Sequence, residues 1–103
     1  MSKNANPDIR QLRAIGHKLK PVVTVAGNGL SDAVAAELER ALNDHELIKV
    51  RLSVGPREAR GAVAAEICQR TGAAIVQRVG NVILLLRRVA KPDPRLSNLI
   101  RPL

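Results

Sequence analysis

Not one phenylalanine, tyrosine or tryptophan occurs among the 103 residues of this chain. Single-strand readers of the RRM and OB type stack bases on aromatic rings, so their mode of recognition is closed to it, although arginine planes can still stack. Cysteine is nearly absent too. With Cys68 alone, no disulfide can form within the chain and cysteine-rich zinc chemistry is excluded. The longest apolar run, residues 82–86, is far too short to span a bilayer. Met1, Ser2, Lys3 and Asn4 lack the apolar run of a signal peptide. A soluble, cytoplasmic chain that contacts no membrane is expected. Acidic residues are scarce, with 9 Asp and Glu against 17 Lys and Arg.

What remains is aliphatic and basic. Hydrophobic residues make up 46% of the chain, enough for one core of Val, Leu, Ile and Ala, and the length suits one domain. A formal charge of +8 on so short a chain points to a polyanion, most commonly nucleic acid. A basic surface kept for solubility is the competing explanation.

The pattern predicts seven elements. Asn6 and Pro7 read as an N-cap and first helical position, and Ile9, Leu12, Ile15 and Leu19 recur at helical spacing, giving a helix over residues 7–19. Pro21 opens a β-branched strand that ends in a tight turn at Ala26, Gly27, Asn28 and Gly29. Ser31 is a good N-cap, and Val34, Ala35, Leu38, Ala41 and Leu42 form the stripe of a helix over residues 32–44. His45 lies just beyond it, placed to bond the last carbonyls. Residues 47–54 alternate, with Ile48, Val50, Leu52 and Val54 buried and Lys49, Arg51 and Ser53 on a wet, basic face. Pro56 starts a third helix with Ala59, Val63 and Ile67 inward, and Gly72 is its left-handed cap. Residues 75–79 and 82–87 form a hairpin about Gly80 and Asn81. This is an α/β order, α-β-α-β-α-β-β, for one compact domain over residues 1–88, with a four-stranded, partly parallel sheet and helices packed on it. Residues 89–103, with Pro92, Pro94 and Pro102, read as an extended or disordered basic tail.

The turn carries the functional signal. Glycines let backbone N–H groups approach a phosphate with no Cβ in the way, and the following helix N-terminus adds partial positive charge. Lys18 and Lys20 flank the strand that leads to it. No Walker lysine follows, and the spacing is not a dinucleotide fingerprint. His17 and His45 lie apart with no ligand partners at metal spacing. Cys68 reads as a buried, inert thiol and Ser31 as a cap. No catalytic residue, metal or cofactor is expected, and the chain does not read as an enzyme.

Three stretches resemble the CRM domain family (chloroplast RNA splicing and ribosome maturation), whose bacterial single-domain members are YhbY-like. They are residues 19–23 (LKPVV), 27–30 (GNGL) and 45–50 (HELIKV). Gly72, Ala73, Val76, Gln77 and the Gly80 turn ending in Arg87 are also similar. The resemblance implies a fold similar to the C-terminal domain of a bacterial translation initiation factor. It further implies RNA binding, association with large ribosomal subunit precursors, and a GxxG loop over residues 26–29. Ala26 stands where that loop's first glycine is expected. If the position needs φ > 0, alanine costs roughly 1 kcal/mol or more unless Gly27 supplies the freedom. Leu86 replaces an aromatic often seen near the end of the last strand.

The reading is a monomeric RNA-binding module of ribosome assembly. Its candidate contacts are Lys18, Lys20, Ala26, Gly27, Asn28, Gly29, Lys49, Arg51, Arg57, Arg78 and Arg87. A DNA-binding architectural protein and a ribosome-docking protein-interaction factor are the competing readings.

Overall fold

A computed structural model of the chain describes residues 7–27 and 29–103. Its elements follow the predicted order: α1 (Ile9–His17), β1 (Pro21–Ala26), α2 (Asp32–His45), β2 (Leu47–Ser53), α3 (Arg57–Thr71), β3 (Ala74–Val79) and β4 (Val82–Leu86). The strands form one mixed sheet in the order β1-β2-β4-β3. β1 and β2 run parallel because α2 crosses between them, while the β3–β4 hairpin folds back so that β4 lies antiparallel to both β2 and β3.

The alternation in β2 divides the core between the two faces of the sheet. Ile48, Val50 and Leu52 pack with Val23, Val25, Leu38, Leu42, Ile67, Ile83 and Leu85 on the side of α2 and α3. The opposite face is not uniformly wet. Leu47 is wholly buried there with Leu12, Val76 and Leu84 under α1. α1 can lie close because Gly16 has no side chain: a Cβ there would come within 2.5 Å of a Leu84 methyl.

Helix ends differ from expectation where local chemistry is stronger than the proline signal. Asn6 lies outside the described residues. Asp8, not Pro7, precedes the first helical residue, as half of a capping box: Gln11 N–H donates to Asp8 Oδ1 and Asp8 N–H donates to Gln11 Oε1, each at 2.8 Å. Ser31 caps α2 by accepting from Val34 N–H, and Gly72 ends α3 with φ +75°. α2 extends through His45, and the chain passes from helix to strand through the single residue Glu46, which holds φ +63°.

That junction organises the end of the chain. Residues 89–103, expected as an extended or disordered tail, turn back onto it. Ser97 Oγ donates to Glu46 Oε1 at 2.6 Å, and Val89 N–H donates to Glu46 Oε2 at 2.8 Å. Asn98 Nδ2 donates to the Leu47 carbonyl at 2.7 Å, and Asn98 N–H donates to the His45 carbonyl at 2.9 Å. His45 does not bond its own helix's last carbonyls; its Nδ1–H donates to the Leu96 carbonyl at 2.8 Å. Ser97 and Asn98 are buried, and Leu99 packs against the cluster under α1. Asp93 starts this turn by accepting Arg95 N–H, which holds its carboxyl below the usual range.

Candidate nucleic-acid interface

β1 is an edge strand, and the glycine turn leaves its carboxyl end. Ala26 is the last residue of the strand and pairs with Ser53, so it needs no special conformation. Positive φ falls instead on Gly27 (+64°) and Gly29 (+107°), and Gly29 N–H donates to the Ala26 carbonyl at 3.3 Å. The concern over alanine at the first loop position is thereby resolved. Apart from its chain neighbours, no described residue lies within 4 Å of where a Gly27 Cβ would stand, which leaves this side of the turn open. Gly29 is backed by Val63 of α3, and Arg60 lies one helical turn before Val63 on the same side of α3. The Arg60 Nε is buried with no hydrogen-bond partner among the described residues. Arg57 is exposed at the start of α3, which leaves β2 beside the turn.

The predicted basic residues do not form one patch. Register places Lys49 beside Leu84 and Pro21, and Arg51 beside Thr24 and Val82, all on the α1 side of the sheet. Arg78 pairs with Ile83 and lies on the other side, where its guanidinium stands 3.8 Å from the Cβ position of Gly61 in α3. Lys18 and Lys20 border the opposite end of β1 from the glycines, about 20 Å away at the usual rise of a strand. Arg87 is internal. Its Nη1 donates to Glu39 Oε1 and to the Thr71 carbonyl, and its Nη2 donates to Asn43 Oδ1, each at 2.8 Å. It ties α2 to the end of α3 and is committed to the fold.

Two residues missed by sequence reasoning join the basic face. Arg13 and His17, four apart on α1, border the same cleft as Lys49 and Arg51. Their i, i+4 spacing was visible; that α1 would cover this face was not. No carboxylate lies within ion-pair distance of Arg13, Lys49, Arg51, Arg57 or Arg78 among the described residues. Cys68 is half-buried, and burial pushes its thiol pKa up. No cluster of three metal-ligating side chains occurs among the described residues, and no helix there is long and apolar enough to cross a membrane.

A small α/β domain with an open glycine turn and unpaired cations on both sides of its sheet has the form of a nucleic-acid binder. The CRS1/YhbY (CRM) domain profile matches residues 6–87, and the chain belongs to that family, one of RNA-binding domains rather than enzymes. It is 50% identical over 92 residues to a probable RNA-binding protein of Pseudomonas aeruginosa, covering 89% of this chain and 88% of that one. It is 45% identical over 76 residues to an RNA-binding protein of Haemophilus influenzae, covering 74% and 77%. The fold is similar to the solution structure of a hypothetical protein from Staphylococcus aureus, with a TM-score of 0.71 at 23% identity, covering 81% of this chain and 86% of that one.

Proposed function

We propose that the chain binds RNA by its sugar-phosphate backbone, as a cytoplasmic monomer, and that its target is ribosomal RNA in precursors of the large subunit. The observation that carries the reading is the turn itself. Gly27 and Gly29 take conformations that side chains resist, and apart from its chain neighbours no described residue lies within 4 Å of a Cβ built on Gly27. A phosphate there meets the open backbone of the turn and the start of α2, with Arg57 and Arg60 on α3 supplying charge. Lys49, Arg51 and Arg78 extend the basic surface over both faces of the sheet. The names of the relatives support an RNA partner, and the resemblance of residues 45–50 and 27–30 to YhbY-like proteins supports the ribosomal one.

The test is a parallel titration of protein-free large-subunit RNA fragments, an unrelated structured RNA and duplex DNA at physiological salt. Tighter binding to the ribosomal fragments is expected. Equal affinity for duplex DNA would favour an architectural DNA-binding role, and no binding to any free nucleic acid would favour docking on a ribosomal protein.

A further inference from the structure

α1 is nine residues long and covers only part of its side of the sheet. Beyond it lies an open cleft of about 430 Å³ between α1 and the strands. Arg13 stands on the helix side, Lys49 and Arg51 on β2, and Gln77 on β3 beside an irregularity in its pairing with β4. The floor includes Val82 and Leu84. The three cations have no acidic partner among the described residues.

Resting on the RNA-binding reading above, we infer that this cleft receives one unpaired nucleotide of the bound RNA. Its contents match the parts of a nucleotide. An aliphatic floor accepts a flat base, and guanidinium planes can stack on it, which suits a chain without aromatic rings. Arg13, Lys49 and Arg51 take the adjoining phosphate. The Gln77 amide has both donors and an acceptor and can read a base edge that is free only when the base is unpaired. A continuous duplex keeps its bases stacked and cannot fill the cleft. The preferred ligand is therefore RNA with a single-stranded or bulged segment, while the glycine turn, which opens at the end of the sheet, holds backbone of either kind.

The probes are a short single-stranded RNA with 2-aminopurine at its centre and a blunt RNA duplex of the same sequence. Binding of the single strand changes the 2-aminopurine fluorescence. Arg13→Glu weakens it about tenfold, while Arg10→Glu, the same charge change on α1 outside the cleft, costs much less. Gln77→Ala weakens the single strand and leaves the duplex unchanged. Thermal midpoints confirm that each variant folds. If the single strand binds with no fluorescence change, or Arg13→Glu and Arg10→Glu act alike, the cleft inference fails while RNA binding stands. If the parent protein binds neither RNA, RNA binding itself is overturned along with it.

Discussion

Arg51 and Arg87 are the same residue type with different work. Arg51 projects from β2 into solvent with no acidic partner among the described residues, whereas Arg87 holds Glu39, Asn43 and the Thr71 carbonyl together. Arg87→Ala should lower stability by about 1–3 kcal/mol, measured by urea unfolding, because it strips the donor from the carbonyl of buried Thr71 and the cation from half-buried Glu39. Arg51→Ala should leave unfolding nearly unchanged and weaken RNA binding instead. Gly27 offers a second separation of fold from binding. Asparagine tolerates its positive φ and adds no charge, so Gly27→Asn should cost little in unfolding and weaken RNA binding only by crowding the phosphate. Gly27→Asp should fold comparably, since acidic residues near a helix start are favourable, yet bind RNA markedly less tightly because its charge repels the phosphate. Equal affinity of the two variants would make the turn a mere connection. At the α2–β2 junction, Ser97→Ala removes the shortest hydrogen bond to the buried Glu46 side chain and should cost about 1–3 kcal/mol by the same unfolding measurement.

Among the elements, those built on periodicity were legible. α2 has a cap, an apolar stripe and a clean stop; β2 alternates; Gly80 and Asn81 mark the hairpin; Gly72 takes the left-handed cap conformation expected of it. The C-terminal segment was not legible, because its docking follows no period. It depends on isolated polar contacts from Ser97 and Asn98 to a helix–strand junction some 50 residues away, with Leu99 as its apolar anchor. Sequence spacing cannot reveal such long-range pairs, and the prolines that suggest disorder serve equally well between turns. Deleting residues 91–103 should therefore destabilise the domain by about 2–5 kcal/mol, since it removes a packed leucine and several hydrogen bonds at once. An unchanged thermal midpoint would show that the segment adds nothing to the fold. Acid should loosen the turn at Asp93. The depressed pKa of Asp93 means that its contribution is present above the ordinary aspartate range and is lost as pH falls through the lower folded value, which amide exchange across residues 93–97 would report.

On the scale of the whole molecule, charge and shape decide what is bound. The chain carries +8 on a body 46 × 24 × 20 Å, and its unpaired cations lie on both sides of the sheet and at the end where the glycine turn opens. The residue types of the candidate site were readable from the sequence, but their grouping was not. Strand order and register put Lys49 and Arg51 with Arg13 under the edge of α1 and send Arg78 to the opposite face, while Arg87 is taken up by Glu39, Asn43 and the Thr71 carbonyl. The account stands or falls on whether phosphates carry the affinity, and the salt dependence of RNA binding measures that directly. For about four backbone contacts to a single strand, log K should fall linearly with log salt with a slope of about −3, and Arg51→Ala should reduce that slope by about 0.7. A slope near zero, or one that Arg51→Ala leaves unchanged, would contradict it.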